Sequence, residues 1–223
     1  MAGEIVGTLA KTELFGGLDA AVLDEVAAAG AVRPYRKGQI LFATGDPGET
    51  LFLVIDGMVK IYLTSEDGGE LSLGMFAPGS VFGEVALADG GPRSAFAEVV
   101  ESGRLFVLGR PEFLALLRDH PKLNEAYLRA LASRIRRSTD RSEDLVFLDL
   151  QGRVAKLLLE LAAGSGGAVV ALPGGQQELA NMVGGSRPTV NQILKTFESR
   201  GYITLQGRNI SVIELSSLER LAH

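Results

Sequence analysis

The segment spanning residues 82–95, FGEVALADGGPRSA, contains the side chains needed to bind a phosphorylated sugar. Gly83 permits close approach of the backbone, and the apolar run after it suits a short helix whose N-terminus offers unpaired N–H groups. Arg93 supplies planar bidentate donors and Ser94 adds a hydroxyl. Because a carboxylate repels phosphate, we expect Glu84 to accept a hydrogen bond from a sugar hydroxyl instead. Together these residues predict a site for a nucleotide with both ribose and phosphate.

Short β-rich runs separated by glycine-containing turns surround this segment, from residue 37 to about 108. No helix-length periodic segment interrupts them, so they favour a sandwich, roll or barrel over a parallel α/β sheet. Before them, residues 18–32 predict an amphipathic helix with Asp19 as its cap, and residues 111–117 after them predict another short helix. The expected strands lie in QILFA, TLFLVI, MVKIYL, ELSLGMF, SVFGEV, SAFAEV and RLFVLG.

A longer helical pattern begins near Pro121, with a heptad-like seam formed by Leu128, Leu131, Ile135, Ser138, Ser142 and Leu145. This spacing suits a helix that pairs with its twin in a homodimer; the alternative is a helix packed on its own domain. Ser138 and Thr139 occupy the middle of the seam, where an apolar side chain would stabilise pairing better. A polar residue at such a position usually specifies helix register or contacts a ligand.

The C-terminal part has the pattern of two helices and a tight glycine turn followed by a β-hairpin. That order predicts a winged helix-turn-helix. Asp149 is the expected cap of the helix that precedes it. The predicted elements are helix 150–163, an apolar run at 169–172, helices 176–182 and 186–199, and strands 203–205 and 210–213.

Composition narrows the function. The 223 residues include no cysteine, which excludes a thiolate nucleophile, an iron–sulfur sensor and a cysteine-based zinc site. The two histidines, His120 and His223, lie outside the β-rich region, which argues against a haem sensor and a metal-binding cupin enzyme. We therefore expect no enzymatic activity and no metal. The net charge is −5, divided into −7 for residues 1–149 (15 Lys+Arg, 22 Asp+Glu) and +2 for residues 150–223 (7 and 5).

Segment 82–95 resembles the phosphate-binding cassette of cyclic-nucleotide-binding domains, F-G-E-x-A-L-x-x-x-x-P-R-S/A-A, over its full length. Residues 145–153, LVFLDLQGR, resemble the hinge of the cAMP receptor protein family, which belongs to the broader group that includes the fumarate–nitrate regulators. The resemblance implies an α+β fold: an N-terminal cyclic-nucleotide-binding β-roll of jelly-roll type (1–117), a dimerisation helix with its hinge (118–148), and a winged helix-turn-helix (149–223).

The same resemblance implies how the ligand is held. Glu84 would bind the ribose 2′-hydroxyl, and Arg93 and Ser94 the cyclic phosphate. Either Ser138 or Thr139 would reach the adenine from the partner subunit, and Arg134 would lie near the pocket and pair with Glu84. The implied effector is cAMP, with cGMP, another ligand or ligand-independence as alternatives. The implied ligand-binding set is Gly83, Glu84, Val85, Arg93, Ser94, Arg134, Ser138 and Thr139.

Residues 176–197 resemble the helix-turn-helix of that family, with Ser186 capping the recognition helix. The resemblance makes Arg187 a reader of a guanine edge. Pro188 and Gln192 stand where the catabolite activators carry other base-reading residues, so we expect a different target half-site. The expected DNA-binding set is Gln177, Ser186, Arg187, Thr189, Gln192 and Arg208, of which Gln177, Ser186, Thr189 and Arg208 are expected at phosphates.

The sequence therefore predicts an allosteric transcription regulator in which cyclic nucleotide re-packs the helix through residues 146–149. Its expected partners are a second copy of the chain, double-stranded DNA and RNA polymerase. The sequence has no apolar run of the roughly 20 residues that a membrane span needs and no signal peptide, so we expect a cytoplasmic protein without a membrane partner. A nucleotide-binding subunit of a kinase or channel is disfavoured, because it would not carry a helix-turn-helix.

Overall fold

The computed structural model describes residues 2–164, 169–171, 174–207 and 209–222. The chain divides into two compact units, which are described separately below. The first contains residues 1–63 and 73–137, and the second contains residues 64–72 and 138–223.

Two antiparallel sheets form the β-roll of the first unit. Their strands are ordered β1-β8-β3-β6 and β2-β7-β4-β5. In the first sheet Phe52 lies opposite both Val107 and Phe82, and in the second Ile61 lies opposite Ala97. The strands are β1 (Ala31–Tyr35), β2 (Ile40–Phe42), β3 (Thr50–Val54), β4 (Met58–Thr64), β5 (Glu70–Phe76), β6 (Val81–Phe82), β7 (Phe96–Glu101) and β8 (Gly103–Gly109).

Apolar side chains pack on the inner faces of this roll, and a second cluster joins one sheet to the helices around it. Phe82, Val54 and Ala97 are fully buried in the inner cluster. Phe106 and Phe113 are fully buried in the second cluster. The helices are α1 (Ala2–Leu9), α2 (Ala20–Ala29), the short α3 (Val85–Asp89), α4 (Arg110–Asp119) and α5 (Pro121–Phe147).

The β-rich region is as the sequence predicts, but the structure corrects its N-terminal border. Helix α2 ends at Ala29, and residues 31–35, partly included in the predicted helix 18–32, form β1 at a sheet edge. Pro34 weakens the strand signal there, although an edge strand tolerates proline. Asp19 precedes α2 without a capping hydrogen bond, and its carboxylate instead accepts from Lys122 Nζ at 3.0 Å. The sequence pattern also missed α1.

Helix α5 is continuous from Pro121 to Phe147. Its first turns are buried through Leu123 and Tyr127. In the predicted seam Leu131 packs against the second cluster of its own unit, whereas Leu128 is 59% and Ile135 67% exposed. Exposed apolar side chains at heptad spacing on a helix are typical of a surface that pairs with another helix.

The second unit has the expected winged helix-turn-helix pattern. Asp149 accepts a hydrogen bond from Gly152 N–H at 2.8 Å, which confirms it as a cap. Strands pair antiparallel in the order β10-β11-β9. Helix α9, which the pattern missed, buries Leu218 in the core. The elements are α6 (Leu150–Gly164), β9 (Val169–Ala171), α7 (Gly175–Val183), α8 (Arg187–Ser199), β10 (Ile203–Gln206), β11 (Asn209–Val212) and α9 (Leu215–Leu221).

Candidate functional site

Strand β6 leads directly into the glycine turn of the cassette. Gly83 has φ +83°, and a Cβ on it would lie 2.8 Å from both Thr50 O and Arg93 Nη1. Glycine is therefore needed there both for its backbone conformation and for space. Helix α3 ends at Asp89, and its C-cap Gly90 donates its N–H to the Ala86 carbonyl. With five residues, α3 offers N–H groups at its start but only a small part of the macrodipole expected of a longer helix.

The main chain of Arg93 is fixed by the turn that precedes β3. Its N–H donates to the Asp46 carbonyl at 2.8 Å, and its carbonyl accepts from Gly45 N–H at 2.9 Å. Burial lowers the pKa of the Arg93 guanidinium, and the negative charges of Glu84 and Asp46 partly offset that effect.

The Arg93 side chain lies inside the β-roll and is only 4% exposed. Nη1 donates to Gly83 O at 3.0 Å, and Nη2 donates to Thr50 O at 2.6 Å and to Thr50 Oγ1 at 2.8 Å. The guanidinium also lies 4.2 Å from the centre of the Phe42 ring, within the range of a cation–π contact. Nε is buried and donates to no atom of the described residues. A buried guanidinium whose Nε–H is still available as a donor is suited to binding an anion.

Glu84 is held from helix α5 at two atoms. Its backbone carbonyl accepts from the Tyr127 hydroxyl at 2.6 Å, and its Oε1 forms an ion pair with Arg134 Nε at 3.4 Å. Arg134 in turn lies over the Phe76 ring, 5.4 Å from its centre. Glu84 is 7% exposed, and its buried Oε2 accepts from no atom of the described residues. A buried carboxylate oxygen without a donor is a strong acceptor for a ligand hydroxyl.

A cavity of about 330 Å³ opens beside Glu84 in the first unit. This volume falls at the small end of the range for small-molecule sites. Its wall includes Glu84, Arg134, Arg137 and Phe76, but not Arg93 or Ser94. The structure thus brings Glu84 and Arg134 into one cavity, while the Arg93 guanidinium is turned toward the carbonyls of its own chain.

The remaining predicted ligand residues lie at the surface. Val85 is 43% exposed at the start of α3, and Ser94 is exposed beside Arg93. Ser138 and Thr139 are exposed on the part of α5 that belongs to the second unit. Sequence reasoning missed Thr50 and Tyr127, whose hydroxyls contact the cassette from distant elements. Thr50 follows Glu49 and Tyr127 lies in a segment of mixed polarity, so no local signal marks either residue as a contact of the cassette.

The helix-turn-helix of the second unit is built from α7, a turn at Gly184 and α8. Gly184 adopts φ +67° and its N–H donates to the Ala180 carbonyl. Ser186 Oγ accepts from Thr189 N–H at 3.3 Å and is 2.7 Å from Thr189 Oγ1, so it caps α8 as predicted. Pro188 sits in the first turn of α8, where no helical hydrogen bond is lost. The facing apolar side chains are all buried: Leu179, Ala180, Val183, Val190, Ile193 and Leu194.

The predicted DNA-contacting side chains lie on exposed surfaces of these helices. Arg187 and Gln192 are exposed on α8, and Arg187 forms no hydrogen bond or ion pair with any described residue. Gln177 on α7 donates to Asn181 Oδ1 at 3.0 Å. Arg208, predicted at the tip of the wing, lies outside the described residues.

Two further observations concern the described residues as a whole. They contain no group of three or more His, Asp or Glu side chains placed to hold a metal ion. Within the same part of the chain, no helix is both long and apolar enough to cross a bilayer.

Comparison with protein families yields two matches that coincide with these sites. Residues 32–120 match the cyclic nucleotide-binding domain, and residues 152–221 match the Crp-like helix-turn-helix domain. The first match contains the cassette and the second contains α7 and α8.

Similar proteins match along nearly the whole chain. A CRP-like cAMP-activated global transcriptional regulator of Mycobacterium tuberculosis is 36% identical over 219 residues, which cover 96% of this chain and 98% of that protein. The crystal structure of the Thermus thermophilus catabolite activator protein is similar with a TM-score of 0.58 at 34% identity, covering 95% and 98% of the two chains. The c-di-GMP-responsive global regulator CLP of Xanthomonas campestris has a TM-score of 0.76 at 26% identity, covering 87% and 99%.

Proposed function

Because this chain belongs to the CRP/FNR family of transcription regulators, we propose that it is a regulator whose sequence-specific DNA binding is switched by cAMP. The family membership and the two matched domains make the protein a cyclic-nucleotide-binding, DNA-binding transcription regulator and not an enzyme. The identity of the nucleotide, the residues that bind it and the allosteric switch are the proposed parts.

The observation that carries the proposal is that Glu84 and Arg93 lie in one cassette and that each has a buried polar atom available to a ligand. Among the described residues, no donor reaches the buried Glu84 Oε2 and no acceptor reaches the buried Arg93 Nε. A ribose hydroxyl would supply the missing donor and a cyclic phosphate the missing acceptor. The proposed binding set also includes Gly83, Val85 and Ser94 around the phosphate, with Arg134 in the cavity wall and Ser138 and Thr139 at the base.

We propose that the active species is a homodimer paired along the exposed seam of α5. Leu128 and Ile135 are the most exposed apolar residues of the seam. The ligand would bind beside the same helix. Nucleotide binding would re-pack α5 and the hinge 146–149. The two copies of α8 would then fit successive major grooves, about 34 Å apart. Analytical ultracentrifugation of Ile135→Glu tests this pairing: a monomer supports it and an unchanged dimer contradicts it.

On the DNA side, Arg187 is the proposed base reader. Its side chain is exposed at the N-terminal end of α8, the end that enters the major groove in helix-turn-helix proteins. Gln192 is a second candidate for base contact, and Gln177, Ser186, Thr189 and Arg208 remain proposed phosphate contacts.

The alternative is a regulator on the same scaffold with another effector or with none. A specific observation favours keeping it: the similar Xanthomonas protein responds to c-di-GMP. Hydroxyls such as those of Ser138 and Thr139 can also bond a guanine, which keeps cGMP among the candidates.

The remaining proposals follow from family membership. RNA polymerase is the expected further partner and the cytoplasm the expected location, since the protein would act on DNA there. We propose the loop 164–175 as the polymerase contact; its residues 165–168 and 172–173 lie outside the described residues. The proposed domain borders stay at 1–117, 118–148 and 149–223.

Calorimetric titration with cAMP and with cGMP tests the proposal. We expect cAMP to bind and Arg93→Ala to abolish binding, while the matched variant Arg33→Ala, on exposed β1, keeps wild-type affinity. Circular dichroism checks that each variant is folded. Preferential binding of cGMP, or failure of both nucleotides to bind, would favour the alternative.

A further inference from the structure

The Tyr127 hydroxyl connects helix α5 to the ligand cassette. It donates to the Glu84 carbonyl at 2.6 Å. Apart from this bond, that carbonyl accepts only a long hydrogen bond of 3.3 Å from Leu87 N–H among the described residues. Tyr127 is therefore the main group that fixes the backbone of Glu84 from outside the cassette.

The tyrosine ring is itself held rigidly. Tyr127 is 4% exposed, and its ring meets the fully buried Phe113 edge-on, with centroids 5.0 Å apart and planes at 84°. Burial, followed by the negative charges of Glu84 and Asp89, raises the pKa of the phenol to about 12. The hydroxyl thus remains a neutral donor throughout the physiological range.

Tyr127 and Arg134 attach the same helix face to the same residue. They lie seven residues apart, close to two helical turns, so both project toward Glu84. Tyr127 fixes the Glu84 carbonyl and Arg134 pairs with the Glu84 carboxylate. The orientation of Oε2, the free acceptor, depends on both attachments.

We propose that Tyr127 is a positioning residue for ribose recognition: by fixing the backbone of Glu84, it holds Oε2 where the ligand's 2′-hydroxyl can donate to it. This inference rests on the proposed function, because it assumes that Glu84 receives a ribose. It adds a residue 43 positions from Glu84 to the determinants of ligand specificity.

The test compares cAMP with 2′-deoxy-cAMP, which lacks the hydroxyl that Glu84 would bind. Tyr127→Phe keeps the ring packed against Phe113 and removes only the hydroxyl. We expect this variant to lose affinity for cAMP about fivefold, as for one hydrogen bond, and to bind 2′-deoxy-cAMP as wild type does to within about twofold. Tyr35→Phe, on β1 of the same unit, is the matched control and should change neither affinity.

A second arm uses Glu84→Gln. In that background the added Tyr127→Phe substitution should no longer change the ratio of the two affinities, because the group that it positions is altered. An equal loss for both ligands in Tyr127→Phe would show a purely structural role and overturn the inference while cAMP binding stands. Failure of wild-type protein to bind cAMP would instead overturn the proposed function, and this inference with it.

Discussion

The cassette and the recognition helix each depend on an arginine, but the two side chains are organised in opposite ways. Arg93 is 4% exposed, and its guanidinium is fixed by three hydrogen bonds and an aromatic ring. Arg187 is exposed, and no described residue bonds its side chain. The fold therefore fixes the arginine of the proposed ligand site, whereas the orientation of Arg187, the proposed base reader, would be set by the DNA.

This difference fits the two targets. A cyclic nucleotide is small, so a site for it must surround the ligand closely with a few precisely placed donors and acceptors. DNA positions a protein through many phosphate contacts, and a single side chain then tests the base edge. In the proposed roles, the fixed guanidinium of Arg93 would reduce the entropy lost on binding the ligand, and the exposed side chain of Arg187 would be able to adjust in the groove.

Substituting alanine for the turn glycines Gly83 and Gly184 should give the largest difference in stability between the cassette and the helix-turn-helix. In Gly83→Ala the new Cβ would lie 2.8 Å from Thr50 O and Arg93 Nη1, so we expect a loss of about 3 kcal/mol of unfolding free energy. In Gly184→Ala the nearest atom would lie 3.5 Å away, and only the left-handed backbone costs energy, about 1 kcal/mol. Chemical denaturation measures both values. Equal losses would contradict the view that the cassette is the more tightly built region.

The arginines themselves give the next largest contrast. Arg93→Ala leaves the carbonyls of Thr50 and Gly83 without their donors, so the free energy of unfolding should fall by about 2 kcal/mol. Arg187→Ala removes an exposed side chain and should change it by less than about 0.5 kcal/mol. Urea titrations of the two variants measure both changes in the free energy of unfolding. A stable Arg93→Ala protein would mean that the internal bonds of Arg93 do not organise the site.

Much of the cassette could be predicted because its determinants are contiguous in sequence. The turn glycine, the short helix and Arg93 with Ser94 lie within 14 residues, and each has a local physical meaning. The helix-turn-helix was predictable for the same reason, since the Ser186 cap, the Gly184 turn and the apolar spacing are all local signals. The exposed seam of α5 follows from its heptad spacing.

The rest depends on tertiary packing, which leaves no local pattern. Thr50 and Tyr127 contact the cassette across 43 residues each, through single hydroxyls that no local sequence pattern marks. The inward orientation of Arg93 could not be predicted either, because an arginine in a turn is usually solvated. Strand β1 and helices α1 and α9 were missed, since their short segments contain proline, glycine or serine that weakens the periodic signal.

The proposed role of Arg187 can be tested by measuring how strongly the protein discriminates between DNA sequences. Arg187→Ala should reduce discrimination at one base pair of the half-site by about 1–2 kcal/mol and leave non-specific binding nearly unchanged. Lys195→Ala, an exposed cation on the same helix, should weaken all sequences alike if it affects binding at all. Selection of DNA ligands from a random pool, followed by fluorescence anisotropy, measures both effects. Equal losses on specific and non-specific DNA in Arg187→Ala would exclude it as a base reader.

The last prediction concerns how the free energy of unfolding depends on pH through the buried phenol of Tyr127. The pKa of Tyr127 is raised from 10.0 to about 12 in the folded protein, chiefly by burial. Below pH 10 the phenol is neutral in both the folded and the unfolded chain, and its contribution to stability is complete. As the pH rises from 10 toward 12, the unfolded chain loses this proton first, so the free energy of unfolding falls.

Tyr127→Phe has no such proton, and its unfolding free energy should decline less steeply than that of wild type over the same interval. Parallel curves for the two proteins in denaturant titrations would mean that the Tyr127 hydroxyl is accessible to solvent, and the ligand site would then be less rigid than its contrast with Arg187 requires.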